Sequence, residues 1–180
     1  MYHIKQDKRV DQSAALICEG LALALQCKPY AEISITEVCR HSGIARTTFY
    51  RLFDTLDDVL LYQFDELFKT CLQAYAAQAE ERSFAKTILD LATRNKALIS
   101  AMIASGRSDL FSRSGRAQED SILRSMDLEM PEKDRLYCTA ILTQLAYAVL
   151  GTWVNTGCRE SSAALYEIMR RDVTLLNAYL

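Results

Sequence analysis

Apolar residues recur at three- and four-residue intervals along most of this chain, the spacing that places one stripe on one side of an α-helix. Ile17, Leu21, Ala24 and Leu25 predict a first helix over about 10–27, ended by Lys28-Pro29-Tyr30. Gly20 inside it costs about 1 kcal/mol relative to alanine, so it marks close packing. Thr55 begins a long helix reaching about residue 80, with Asp57 and Asp58 well placed in its first turn. Leu60, Phe64, Leu67, Phe68, Cys71 and Tyr75 keep its period. Ser83 opens a segment with Phe84, Ile88, Leu91 and Ala92 on one side, and Asn95 caps another carrying Leu98, Ile99, Met102 and Ile103. Residues 106–115 are rich in Ser, Arg and Gly and read as a loop, followed by a helix over 116–126. Pro131 suits the first turn of a very apolar helix with Leu136, Ile141, Leu145, Val149 and Trp153, which Gly157 stops. Ser161 or Ser162 starts the last helix, with Leu165, Ile168, Met169, Val173, Leu176 and Tyr179. The pattern is that of an all-α protein.

Between the first and the long helix lies SITEVCRHSGIARTTFYRLF, residues 34–53. Ser34 and Glu37 form an S-x-x-E capping box, which starts a helix at Ile35. Val38 and Cys39 face inward. Gly43 stands where a helix end needs a left-handed residue, and Ile44 is an apolar plug. A second helix over 45–52 buries Phe49 and Leu52, three apart, and turns Arg46, Thr47, Thr48, Tyr50 and Arg51 outward. This is a helix-turn-helix whose second helix can present its N-terminal half to a major groove. Arg46 can bond guanine O6 and N7, and Thr47 and Thr48 can reach a thymine methyl or a phosphate. Ser34 and Thr36 sit at a helix N-terminus, where backbone N–H groups favour a phosphate. His41 and Arg51 are candidate rim contacts.

The same run resembles the DNA-binding signature of TetR-type (TetR/AcrR) transcriptional regulators. Ser34-Ile35-Thr36-Glu37-Val38-Cys39, Gly43-Ile44 and Thr48-Phe49-Tyr50 with Phe53 carry the resemblance. It implies a phosphate contact from the Tyr50 hydroxyl. It also implies an N-terminal three-helix helix-turn-helix domain over 1–54 and a helical dimerisation and effector domain over 55–180. One position departs: where the family has a phosphate-binding lysine three residues after Phe53, this chain has Leu56.

Composition narrows the picture. The 180 residues carry 21 basic and 23 acidic side chains, net −2, so there is no general basic coat. Residues 1–56 hold 7 basic and 6 acidic residues, and any attraction to DNA must come from a local patch. Lys5, Lys8 and Arg9 form either a short phosphate-touching arm or a solvated tail. Six cysteines, Cys18, Cys27, Cys39, Cys71, Cys138 and Cys158, lack CxxC spacing and read as buried structural thiols. No signal peptide and no apolar run long enough to span a membrane are recognised, so a cytoplasmic location is expected. The two histidines, His3 and His41, match no metal or nucleophile pattern, and Asp57-Asp58 and Glu80-Glu81 diverge on a helix. No catalytic residue, metal site or cofactor is expected, and the chain reads as a non-enzyme.

The resemblance implies an effector pocket, for which Phe64, Phe68, Met102, Phe111, Tyr137 and Trp153 are candidate lining residues. The last two helices have broad apolar faces that a four-helix bundle between two copies would cover. The expected function is a ligand-responsive repressor binding a near-palindromic double-stranded DNA operator as a homodimer. The alternative is an accessory protein of this fold that binds a partner protein or small ligand without sequence-specific DNA binding.

Overall fold

The computed structural model describes residues 2–4, 8–77, 83–125 and 129–177. Lys5, residues 78–80 of the predicted long helix, Met126 and Tyr179 lie outside them. The described residues form ten helices and no strand. They are α1 (Lys8–Leu25), α2 (Ile35–Ser42), α3 (Arg46–Leu52), α4 (Leu56–Ala76) and α5 (Phe84–Arg94), then α6 (Lys96–Ala104), α7 (Ser108–Ala117), α8 (Glu119–Ser125), α9 (Glu132–Asn155) and α10 (Ser162–Asn177).

α1 packs on α2, α3, α4 and α6, so one apolar cluster runs from Ile17 and Leu21 through Phe49 and Phe53 to Leu60, Phe64 and beyond. The boundary expected at 54/55 falls in the turn between α3 and α4. Thr55 and Asp58 form a second capping box there. The Thr55 hydroxyl accepts from the Asp58 N–H at 3.2 Å, and the Thr55 N–H donates to the Asp58 carboxylate at 3.0 Å. The predicted stripe of α4 is buried throughout, from Leu60 to Tyr75.

The expected loop at 106–115 is instead mostly helix α7. Leu110, Phe111, Ser114 and Gly115 share a face wedged between α4 and α9. Phe111 lies 5.3 Å from Phe64, 5.0 Å from Phe68 and 5.6 Å from Tyr147, centroid to centroid. The small residues that read as loop are there for closeness. Ser114 donates to the Asp65 carboxylate on α4, and a Cβ on Gly115 would stand 2.2 Å from Cγ2 of Thr143. α8 is correspondingly shorter than the predicted helix.

Contrary to the sequence expectation, α9 is by length and composition alone apolar enough to span a membrane. Its first turn carries Glu132 and Asp134, and its apolar residues divide between two sides. Leu150 and Trp153 enter the core, whereas Leu136, Tyr137 and Ile141 are exposed. α10 packs on α5, buries Leu165 and exposes Ile168, Val173, Leu175 and Leu176. Leu165, grouped by sequence with the outer face, therefore belongs to the protomer's own core. The cysteines are all free, but only Cys39 and Cys71 are buried. Cys27 is exposed because α1 ends at Leu25 and leaves it in the turn beyond.

Candidate nucleic-acid interface

The helix-turn-helix is built by short-range chemistry. The Ser34 hydroxyl accepts from the Glu37 N–H at 3.3 Å, and the Ser34 N–H donates to Glu37 Oε2 at 2.9 Å, which closes the predicted capping box. Lys28 adds an ion pair to Glu37 at 2.7 Å. The lysine, then the Ser34 N–H and hydroxyl, hold the Glu37 carboxyl down at about 2. This cap is fully formed above the ordinary carboxylate range and is lost only as pH falls through that value. α2 ends at Gly43, whose φ of 69° is left-handed. Phe49 and Leu52 anchor α3 in the core.

That anchoring turns the other side of α3 to solvent. Arg46, Thr47, Tyr50 and Arg51 are exposed and Thr48 is half-buried. The Arg46 guanidinium lies over the Tyr50 ring, 5.9 Å from its centroid. A hydrogen bond to the Tyr50 hydroxyl raises the Arg46 pKa further. The arginine expected to read a base and the tyrosine expected to bind a phosphate thus form one pair, a coupling that spacing alone does not reveal. Thr36 is exposed at the start of α2. The Ser34 hydroxyl is engaged with Glu37, donating to Oε2 at 2.8 Å. His41 is exposed.

Leu56 is half-buried and packs against the core as the first residue of α4. The acidic residues beside it are both engaged. Asp58 caps the helix. Asp57 accepts from the Tyr30 hydroxyl at 2.6 Å and pairs with Arg107 from the turn between α6 and α7. Arg107 holds the Asp57 carboxyl below the usual range, and burial with Asp57 beside it pushes the Tyr30 hydroxyl up. Arg107 also grips Asp109 through two bonds of 2.8 Å. The α6–α7 turn is thereby tied to the first turn of α4 and to the segment before α2. The sequence reading missed this joint.

The N-terminus also differs from a bare arm or tail. Tyr2 bridges Phe53, the His3 N–H donates to the Leu52 carbonyl at 2.8 Å, and the Tyr2 hydroxyl donates to Asp65 at 2.7 Å. Residues 2–4 strap the α3–α4 junction. Arg9, in the first turn of α1, is exposed.

Of the pocket candidates, Phe68 borders a cavity of about 560 Å³ between α9 and α10. Phe64, Met102, Phe111 and Trp153 are buried in the core, and Tyr137 is 73 % exposed.

The fold and site define an all-α helix-turn-helix protein whose second helix presents an exposed, arginine-bearing face. A 59-residue stretch, 33 % of this chain, is 39 % identical to the HTH-type transcriptional regulator EthR of Mycolicibacterium smegmatis and spans 27 % of that relative's length. The whole fold is similar to Lin0861 from Listeria innocua, with a TM-score of 0.80 at 14 % identity over 97 % of this chain and 96 % of that one. It is also similar to a TetR transcriptional regulator from Rhodococcus sp. RHA1, with a TM-score of 0.58 at 23 % identity over 93 % and 98 % of the two chains. No family model matches the chain. The chain thus shares the all-α fold of the Rhodococcus TetR regulator, and its matched segment is similar to part of EthR.

Proposed function

We propose that this chain is a cytoplasmic, DNA-binding transcriptional repressor. Two copies meet a near-palindromic operator with one α3 per half-site and release it when a small effector occupies the helical remainder. Residues 1–54 act as the reading head and 55–180 as the dimerisation and effector unit. The observation that carries this reading is the exposed row Arg46, Thr47, Tyr50 and Arg51, opposite the core anchors Phe49 and Leu52. The regulator whose sequence matches 59 residues of this chain supports it. Ser34, Thr36 and Thr48 supply backbone-side contacts, with Ser34 acting through the helix end because its hydroxyl is engaged.

Selection of DNA sites from a random pool with purified protein tests the proposal. A recovered palindrome supports it, and no enrichment sinks it. On the selected site, Arg46→Ala should lose about 1–3 kcal/mol and relax preference at one base pair per half-site. Unchanged affinity and preference would mean that α3 does not read bases through Arg46.

Leu56 is the observation that favours the accessory alternative, because an apolar residue occupies the place of a phosphate-binding lysine. Its packing against the core gives it a structural role that leaves the DNA-facing row intact. Leu56→Lys should therefore add one phosphate contact per subunit. Anisotropy titrations at several salt concentrations should then steepen by about 0.9 per contact, roughly 1.8 for a dimer, with base preference unchanged. Equal slopes in a folded, dimeric variant would turn this helix end away from the phosphates and favour the accessory reading.

A further inference from the structure

The cavity between α9 and α10 has a one-sided chemistry. α10 leans on α5, and the gap left beside α9 has a floor from α4, α5 and α8. Phe68, Ile88, Ala146, Val149 and Met169 make most of its walls carbon, with Tyr75, Ser83 and Tyr166 as polar members of the lining. Thr143 lines it too, but its hydroxyl already donates to the Thr139 carbonyl at 2.8 Å and the Ala140 carbonyl at 3.1 Å. Thr174 is likewise bonded to the Arg170 carbonyl at 2.8 Å. Neither hydroxyl has a proton left for a ligand acceptor, though each can still accept a hydrogen bond.

Charge enters at one place. Among the described residues lining the cavity, Arg170 alone is charged, and no carboxylate lines it. Arg170 sits on the exposed side of α10, paired with Glu167 one turn earlier at 2.8 Å. The volume of about 560 Å³ lies within the range of small-molecule sites.

We infer that this cavity binds an amphiphilic monoanion, with its apolar body between α9 and α10 and its anionic head at Arg170. This rests on reading residues 55–180 as an effector unit. The head group joins or displaces Glu167 at the guanidinium, which exposed side chains permit at small cost. A cationic head of the same length meets Arg170 as a like charge. Carboxylate, sulfonate and phosphodiester heads share the required chemistry.

The test is calorimetry on the full chain, without DNA, using decanoate, decanol and decylamine below their aggregation concentrations. Decanoate should bind about tenfold tighter than decylamine, with decanol between them. Arg170→Gln should weaken decanoate about three- to fivefold and leave decanol unchanged, whereas Glu167→Gln should strengthen decanoate. Ala146→Phe fills the cavity and should abolish binding of both. The inference is overturned if none of the three binds, if all three bind alike regardless of Arg170, or if decanoate still binds the folded Ala146→Phe protein. Because no DNA is present, failure of operator recognition would leave these results standing. Failure here would likewise leave the site-selection result untouched.

Discussion

Replacing Gly20 by valine should lower the melting temperature by roughly 10 °C and abolish operator binding. A Cβ at this position would stand 2.7 Å from the Val38 carbonyl oxygen, 2.9 Å from Ser42 Cβ and 3.0 Å from the Ser42 nitrogen. Two of the three are backbone atoms of α2 and cannot swing aside. Relief therefore requires α1 and α2 to separate. α2 is held at its start by the Ser34–Glu37 box, and at its end Gly43 sets the turn into α3. A shift of α2 passes directly to α3, the proposed recognition helix. Overpacking of this kind costs about 3 kcal/mol at the upper end of its usual range, and each kcal/mol moves the midpoint by about 2–4 °C in a chain of this size. Gly151→Ala is the control. The nearest atom to its Cβ is 3.8 Å away, so the variant should gain about 0.5–1 kcal/mol from helix propensity. Thermal unfolding by circular dichroism reads both. A Gly20→Val protein that melts with the parent would refute the close α1–α2 contact.

The double variant Ile141→Glu with Leu175→Glu should yield a folded monomer whose operator affinity is lower by about a hundredfold or more. Ile141 is 66 % exposed and Leu175 57 % exposed in the single chain, so neither change disturbs the protomer's core. In the proposed four-helix bundle both positions lie between copies, where an unpaired carboxylate costs several kcal/mol. Once the copies separate, the second half-site is no longer engaged by a tethered reading head, and the effective-concentration gain disappears. Light scattering gives the mass and anisotropy the affinity. A variant that remains dimeric would place the interface elsewhere. Leu165→Glu cannot serve this purpose, because Leu165 is buried within the protomer and a charge there would unfold it.

The helix-turn-helix geometry was legible in the sequence because its determinants are local. A capping box spans three residues, a left-handed glycine acts where it stands, and Phe49 and Leu52 need only helical spacing to share a face. The same holds for the stripe of α4 and for the ends of α9 and α10, all of which the spacing predicts to within a few residues. What escaped depended on chain segments brought together from a distance. Ser114 and Gly115 read as loop until Asp65 and Thr143 are seen against them. Tyr30, Asp57 and Arg107 are separated by 27 and 50 residues, and no periodicity links them. The pocket shows the limit most clearly. Apolar spacing marks Phe64, Phe68 and Trp153 alike as inward, because burial requires only an apolar neighbour. Which inward face meets a void rather than a packed side chain is settled by where α10 comes to rest, against α5 and away from α9. Local hydrogen bonds and stripe spacing are properties of the chain, so the sequence by itself determined most of the helices and the outward row of α3. Close approach and empty space are properties of how helices cross, and only the tertiary structure decided those.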